Sequence, residues 1–288
     1  MVGWVLNTCA DADEYQRGLI CLDRDSGPDC PIFNHPRAVA MTRRDLSASA
    51  LTGVPNLVVP KCIRFKPQDE RDFERTFEAN GFRYPVLVRP VASQTAAGLV
   101  RVNSIFEWQN ISGEGLGNRH YFMTQFHDTA CAEGYLKMRV AIIGEAIRVH
   151  SITHSDKWRI NHNAGETPPD LFAAREREIV ESKLNNPAFE KMMQEIRRRT
   201  AMDLVGLDLG ILDDGRFVLF EANAAMTMVH DLAYYKTQTA QERLAYLHKP
   251  IADAMAAAVR KFIDTARNGR AWDGPKSLPT VEMSLADG

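Results

Sequence analysis

The chain of 288 residues is poor in cysteine, has no long apolar run and carries no excess of charge of one sign. Its five cysteines are widely spaced and include no C-x-x-C pair, which argues against a disulfide framework or a zinc ribbon and favours reduced thiols. No apolar run is as long as a membrane span, and the N-terminus becomes acidic after a few apolar residues, unlike an ordinary signal peptide. These absences predict a cytoplasmic protein.

The charge and composition restrict the class of partner. The formal net charge is −2, so no overall basic field would attract nucleic acid or an anionic membrane surface. With 45% hydrophobic and 25% charged residues, the chain is suited to one large domain or to two or three small lobes with their own cores. We therefore expect a small-molecule or protein substrate, and neither nucleic acid nor a membrane as partner.

The first half of the chain alternates between strands and helices. A helical stretch from Asp11 to about Leu22 is followed by an Asn-His-Pro turn and a helix with Pro36 near its start. Residues 69–80 form a polar helix, and YPVLVRP then forms a β-branched strand that leads into ASQTAAG, a loop of small residues. A strand followed by a loop of this kind is typical of a phosphate site.

The second half begins with antiparallel strands. The pattern YLKMRVAIIGEAIRVHSITH alternates on either side of a Gly-Glu pair, which predicts a hairpin with Arg139 opposite His150. Lys137 and Arg139 share one face of the first strand. This face is either a functional basic stripe or a solvated strand surface.

Helices are expected on both sides of a further hairpin in the rest of the chain. The pattern predicts helices over residues 171–184 and 187–200. It also predicts a helical pair over residues 240–267 that is broken near Pro250. The tail, residues 269–288, is too polar and too rich in proline to pack well.

A hairpin that begins at residue 206, GLDLGILDDGRFVLFEAN, carries three oxygen-bearing side chains among apolar ones. A two-residue turn at its Asp-Gly pair places Asp208 opposite Glu221, and Asn223 points to the same face. Two carboxylates about 5 Å apart repel by roughly 3 kcal/mol at an effective dielectric near 20, so a buried pair needs a cation. Two carboxylates and an amide oxygen suit Mg²⁺ or Mn²⁺ better than zinc. The alternative is a hairpin face open to water, which the apolar neighbours disfavour.

These motifs resemble those of the ATP-grasp superfamily over about residues 30–265. The hairpin is similar to the superfamily's metal-binding hairpin, in which an Asp on one strand and a Glu-x-Asn on the next hold Mg²⁺ against the phosphates of ATP. FNHPRAVAMTRRD is similar to the Asn-x-Pro segment before the central domain, YPVLVRPVASQTAAG to the phosphate strand and loop, and TQFHD to the hinge strand beside adenine. KWRINHNAG is similar to the Arg-x-Asn segment of members that resemble glutathione synthetase and ribosomal-protein glutamate ligase. D-Alanine:D-alanine ligases are further members that the chain resembles.

The resemblance implies an α+β fold in which ATP lies between two α+β lobes. The small lobe would span residues 62–125, and the large lobe with the metal-binding hairpin would span residues 126–268. A shortened N-terminal region, residues 1–61, would precede them, and a flexible tail, residues 269–288, would follow. Because this N-terminal region is short for the superfamily, we hypothesise that a second subunit or a partner protein completes the substrate pocket.

The resemblance also implies a role for each residue that matches a motif. The implied metal ligands are Asp208, Glu221 and Asn223. The implied phosphate-binding cation on the phosphate strand is Arg89, at a position where lysine is usual. At the other usual lysine position, after the Asn-x-Pro turn, the candidates are Arg43 and Arg44, and Arg44 is taken as the phosphate-binding residue. The implied adenine and ribose contacts are Gln125, Phe126 and Lys137. The candidates for stabilising the γ-phosphate and an acyl phosphate are Arg139, Arg159 and Asn161.

The function implied by the resemblance is that of an ATP-dependent carboxylate–amine ligase. ATP would phosphorylate a carboxylate with Mg²⁺ or Mn²⁺ bound, and an amine would attack the acyl phosphate to give an amide or peptide bond. The carboxylate and the amine would belong to small molecules or peptides. Two alternatives remain: a kinase that phosphorylates another acceptor, and a nucleotide-binding module with impaired catalysis that acts with a partner.

Overall fold

The computed structural model describes residues 3–27, 29–93, 96–111, 117–160, 169–228 and 236–268. These residues form a six-stranded sheet, a four-stranded sheet and a short parallel pair of strands, with helices packed around them. The predicted α+β class is therefore confirmed. None of the helices in these ranges is both long and apolar enough to cross a membrane.

The elements are numbered here in chain order. The strands are β1 (Val5–Leu6), β2 (Ile32–Phe33), β3 (Leu57–Val58), β4 (Cys62–Phe65), β5 (Val86–Pro90), β6 (Val100–Val102), β7 (Tyr121–Gln125), β8 (Ala130–Cys131), β9 (Gly134–Ile143), β10 (Ala146–Ser155), β11 (Leu204–Ile211) and β12 (Phe217–Asn223). The α-helices are α1 (Gln16–Asp25), α2 (Pro36–Ala40), α3 (Arg44–Leu51), α4 (Arg71–Ala79), α5 (Pro169–Leu184), α6 (Pro187–Thr200), α7 (Gln238–Arg243) and α8 (Lys249–Arg267). A 3₁₀ helix spans Ile105–Asn110, and a π-helical segment, Leu244–His248, joins α7 to α8.

The six-stranded sheet has one apolar face and one charged face. Its order is β10-β9-β11-β12-β3, with β8 also paired to β9, and only the β12–β3 pairing is parallel. Along β9, Leu136 and Met138 are buried in a core that includes residues of α5 and α6. Lys137 and Arg139 alternate with them and line a cavity on the opposite face.

The β9–β10 hairpin turns where the sequence predicted. Gly144 adopts a left-handed φ of 56°, which glycine tolerates without steric cost. The predicted pairing of Arg139 with His150 is wrong, because Arg139 pairs with Ser151. A β-bulge at His150 shifts the register by one residue beyond Val149.

The β11–β12 hairpin reaches the predicted pairing by a different route. The predicted two-residue turn is wrong: Leu212 donates its N–H to the Arg216 carbonyl, and residues 213–215 form a three-residue loop. Farther along, the register shifts by one residue, with Phe220 as the extra residue of a β-bulge. The two deviations cancel, so Asp208 pairs with Glu221 as predicted.

The first predicted helix begins later than expected. The Asp11 carboxylate accepts hydrogen bonds from the backbone N–H groups of Asp13 (2.8 Å) and Glu14 (3.0 Å). This side-chain bonding holds residues 11–14 in a turn, so α1 begins at Gln16.

The predicted break near Pro250 is also wrong. The π-helical segment Leu244–His248 connects α7 and α8 without interruption, and Pro250 lies in the first turn of α8. Proline cannot donate the usual i→i−4 hydrogen bond. The π turn, in which backbone hydrogen bonds span five residues, precedes this proline, and the helix continues although Pro250 has no N–H to donate.

The four-stranded sheet takes all its strands from residues 62–125, in the order β4-β7-β5-β6. This sheet, α4 and the 3₁₀ helix are called the small lobe below, and the six-stranded sheet with its helices is called the large lobe. Phe73 of α4 is buried against Phe65 and Tyr121, with ring centroids 5.4 and 5.3 Å away. These edge-to-face aromatic contacts fix α4 on the sheet.

Asn34 ties the N-terminal region to the open end of the β11–β12 hairpin. Its side-chain N–H groups donate to the carbonyls of Leu204 (3.0 Å) and Ala224 (3.1 Å), and its Oδ1 accepts the Leu204 N–H (2.9 Å). Its own backbone N–H donates to the Asp203 carboxylate at 2.7 Å. Asn34 itself is 1% exposed, and its bonds to the Asp203 carboxylate and the Ala224 carbonyl are buried.

We predict that Asn34→Ala destabilises the protein by about 3 kcal/mol, because it removes three side-chain hydrogen bonds of a buried residue and leaves backbone groups unpaired. Asn34 also has a left-handed φ of 55°, which alanine disfavours. Urea unfolding gives the measurement. Asn34→Gly, which tolerates this φ, should recover roughly 1 kcal/mol of the loss. Two variants as stable as the parent protein would contradict the role of Asn34.

Candidate functional site

A cavity of about 670 Å³ lies between the charged face of the large sheet and the small lobe. Its volume is within the range of small-molecule sites. The cavity is lined by ten of the predicted site residues: Arg44, Arg89, Gln125, Phe126, Lys137, Arg139, Arg159, Asp208, Glu221 and Asn223. The remaining predicted residue, Asn161, lies outside the described residues.

Asp208 lies in the middle of β11 and is 5% exposed. Arg139, its pairing partner on β9, donates Nε and Nη2 to the two carboxylate oxygens at 2.8 and 3.0 Å. Lys137 places its Nζ 3.9 Å from the same carboxylate. Burial by itself would lower the pKa of Arg139, but its bidentate bond and attraction to Asp208 raise the pKa above its usual value.

Glu221 lies on β12 and is also paired with a guanidinium. Arg44, the first residue of α3, donates to the Glu221 carboxylate and to the Phe220 carbonyl, the latter at 3.0 Å. The Asn223 amide donates to Glu221 Oε1 at 2.8 Å. Burial by itself would raise the pKa of Glu221, but Arg44, Asn223 and Arg89 hold the pKa at about 2. Glu221 is therefore ionised at neutral pH.

These contacts show how the protein accommodates two facing acids. The repulsion expected between Asp208 and Glu221 is offset by Arg139 on one side and Arg44 on the other. The donor set for a cation nevertheless has the chemistry of a magnesium site, since Asp208, Glu221 and Asn223 offer hard oxygen atoms on one face. Among the described residues no group of three or more His, Cys, Asp or Glu side chains forms a metal cluster.

Arg89 lies on β5 and is held by the loop that follows. Its guanidinium donates to the Ser93 hydroxyl (3.0 and 3.1 Å) and to the Ser93 carbonyl. The Ser93 hydroxyl in turn donates to the Pro90 carbonyl at 2.6 Å. Burial lowers the pKa of Arg89 to about 10, and the like charge of Arg44 contributes to this decrease. Arg89 remains a cation at neutral pH.

Arg159 connects the large lobe to the loop after β5. Its Nη2 donates to the Ala96 carbonyl at 2.7 Å. Its buried Nε has no hydrogen-bond partner within the described part of the chain. A buried guanidinium nitrogen without a partner suits an anionic ligand.

The predicted hinge residues use their backbone N–H groups within the protein. Gln125 donates to the Lys61 carbonyl at 2.8 Å, and Phe126 donates to the Pro85 carbonyl at 3.3 Å. The Gln125 side chain also bonds to the backbone N–H and carbonyl of Arg83. If these two residues contact a nucleotide base, their backbone N–H groups are not available for it. The contact therefore has to use their carbonyl oxygens or the Phe126 ring.

The structure adds residues that the sequence reasoning did not identify. Trp158 lines the cavity and packs edge-on against Phe126, with ring centroids 5.7 Å apart. Its position directly before Arg159 was an available signal. Asp11 and Tyr15 also line the cavity, because the pairing of β1 with β2 brings the N-terminal segment to this side. No local feature of the sequence indicated this long-range approach.

Comparison with known proteins identifies the fold. No protein-family profile and no curated protein sequence matches the chain. Among solved structures, the chain is similar to the VanG D-Ala:D-Ser ligase from Enterococcus faecalis, with 14% identity, a TM-score of 0.55 and coverage of 91% of this chain and 72% of that chain. It is also similar in structure to the D-alanine-D-alanine ligase from Coxiella burnetii, with 12% identity, a TM-score of 0.54 and coverage of 92% of this chain and 71% of that chain. The chain has the ATP-grasp fold. In this chain the cavity is surrounded by the β11–β12 hairpin, strand β5 and the loop after β10.

We predict that the Cys62 thiol, which lines this cavity, stays protonated at neutral pH. Burial raises its pKa to about 11, although the Thr124 hydroxyl, 3.3 Å from Sγ, favours the thiolate. Because the thiolate is the reactive form, its alkylation rate by iodoacetamide should rise about tenfold per pH unit from pH 8 to 10. Mass spectrometry of the labelled peptide measures this rate, with the exposed Cys21 as a control for reagent activity. A plateau near pH 9 would contradict the shifted pKa.

Proposed function

We propose that the protein is an ATP-dependent carboxylate–amine ligase that forms an amide or peptide bond. The observation that carries this proposal is the convergence of basic, acidic and amide side chains on one cavity of the ATP-grasp fold. The two solved structures described above are those of ligases, which supports the same class of chemistry. The carboxylate and amine substrates are small molecules or peptides.

Each group of cavity residues has a role in this reaction. Arg44, Arg89 and Arg159 bind phosphate oxygens, and their positive charges stabilise the negative charge that develops there. Asp208, Glu221 and Asn223 hold Mg²⁺ or Mn²⁺. When bound, the metal supplies positive charge to the phosphate oxygens. Trp158 and the Phe126 ring provide the apolar surface for a base.

The proposed reaction needs no side-chain nucleophile. A carboxylate oxygen of the substrate attacks the γ-phosphorus of ATP, the bond to the bridging oxygen breaks, and ADP leaves. The amine then attacks the acyl carbon, phosphate leaves with the C–O electron pair, and the amine loses a proton. Arg139 and Arg159, with Asn161, stabilise charge on the transferred phosphoryl group.

Trapping with hydroxylamine tests the chemistry directly. Incubation with Mg·ATP, a panel of carboxylates and hydroxylamine should give a hydroxamate and stoichiometric ADP for the right carboxylate. A stable phosphoester in place of the hydroxamate would identify a kinase. Absence of both products, with nucleotide bound, would identify a binding module. The module is the second candidate because arginines replace both of the usual lysines and one of them, Arg44, is already bonded to Glu221.

A second subunit or a partner protein that completes the substrate pocket is part of the proposal. The N-terminal segment of the chain itself lines one side of the cavity through Asp11, Glu14 and Tyr15. Solution scattering of the active protein tests whether a further chain is needed. A strictly monomeric, fully active protein would remove this part of the proposal.

We predict that Glu221→Gln lowers ligase turnover by about a hundredfold or more, because it removes a metal-binding charge from the reacting phosphates. Circular dichroism should show an intact fold, since glutamine has the same shape. Asp214→Asn is the matched control: Asp214 lies at the exposed tip of the same hairpin and pairs only locally with Arg216 at 2.7 Å. Full activity of Glu221→Gln, measured as ADP release, would exclude Glu221 from the mechanism.

A further inference from the structure

The contact between Arg44 and Glu221 occupies a position that the proposed function assigns to a metal ion. Arg44 bonds to the Glu221 carboxylate and is anchored a second time by the Phe220 carbonyl at 3.0 Å. Phe220 is the extra residue of the β12 bulge, so the bulge turns a carbonyl group towards the guanidinium. A cation bound to Glu221 at this point would face the positive charge of Arg44.

We propose that Arg44 competes with Mg²⁺ for Glu221, so that the metal binds well only together with a polyphosphate. This inference rests on the proposed function, since it assumes that Glu221 is a metal ligand. It assigns Arg44 a second role in addition to phosphate binding. Arg44 is a positioning residue that couples occupancy of the metal site to occupancy of the phosphate site.

The charge of the cavity supports this competition. Five cationic side chains line it, Arg44, Arg89, Lys137, Arg139 and Arg159, together with four acidic ones, Asp11, Glu14, Asp208 and Glu221. A divalent cation alone would enter a site in which protein cations already neutralise the acids. A polyphosphate brings several negative charges, which suit the same cations.

The two acid–guanidinium pairs differ in how easily they can separate. Arg139 faces Asp208 in register on the neighbouring strand and holds it by two parallel bonds. Arg44 lies outside the sheet, at the N-terminus of α3, and gives one nitrogen to Glu221 and the other to a carbonyl. Rotation of the Arg44 side chain towards a phosphate breaks one bond to its acid, against two in the Arg139 pair, and leaves Glu221 available for the metal.

Thermodynamic linkage makes the coupling reciprocal. If a polyphosphate strengthens Mg²⁺ binding by moving Arg44, then Mg²⁺ strengthens polyphosphate binding by the same factor. Removal of the Arg44 charge should change the affinity for the metal alone and the affinity for the nucleotide alone in opposite directions. The metal alone binds more tightly because its competitor is gone, and the nucleotide alone binds more weakly because a phosphate partner is gone.

Calorimetry on the full chain tests this sign reversal. Mn²⁺ or Mg²⁺ is titrated without nucleotide, and a non-hydrolysable ATP analogue is titrated in EDTA. Arg44→Gln should tighten binding of the metal alone by about tenfold or more and weaken binding of the analogue by a similar factor. Arg37→Gln is the matched control, because Arg37 pairs with Asp23 at 2.9 Å, outside the cavity, and should change neither affinity.

The outcomes separate this inference from the proposed function. The competition would be overturned if Arg44→Gln left the affinity for the metal alone unchanged, or if it weakened both affinities. The proposed site would still be supported in that case if the parent protein formed a normal metal–nucleotide complex. Loss of all metal and nucleotide binding in the parent protein would overturn both. Arg44→Lys keeps the charge but not the forked guanidinium, and it provides a second folded variant. Like Arg44→Gln, it should tighten binding of the metal alone and weaken binding of the analogue, but by smaller factors.

Discussion

The position of β11 between β9 and β12 fixes which charges meet in the cavity. Asp208 pairs with Arg139 on one side and with Glu221 on the other, so one cation and two acids form a row across three strands. Neighbouring members of such a row have Cβ atoms about 4.5–5.5 Å apart. At this spacing a change of register by one residue would remove an acid from the row and turn it to the opposite face. The proposed metal and phosphate sites both require the row.

The charged row has to be supported by other parts of the fold. Ion pairs in a partly buried site contribute little net stability, because the loss of hydration offsets the attraction between the charges. On the opposite face of the same strand, Val205, Leu207 and Leu209 are fully buried in the main core. The two faces of β11 therefore differ in role: the apolar residues of one face hold the sheet in the core, and Asp208 on the other face lines the cavity.

The sequence predicted the features that depend on backbone periodicity. Alternation along β11 and β12 predicted that Asp208, Glu221 and Asn223 share a face, because side chains alternate on every strand. The bulges at His150 and Phe220 were missed, since a bulge depends on packing beyond the strand pair. The bond from Arg44 to Glu221 was missed for a related reason: it joins residues 177 positions apart, and no short pattern specifies such a contact.

The hydrogen bonds of Asn34 have a consequence for the N-terminal region as a whole. Asn34 contacts the first residue of β11 and the residue just after β12, so it closes the base of the hairpin that carries the acids. The same region supplies Asp11 and Tyr15 to the cavity wall. Truncation up to residue 35 would therefore remove the bonds at the base of the hairpin and part of the cavity wall at the same time. The N-terminal segment therefore forms part of the cavity wall as well as holding the base of the hairpin.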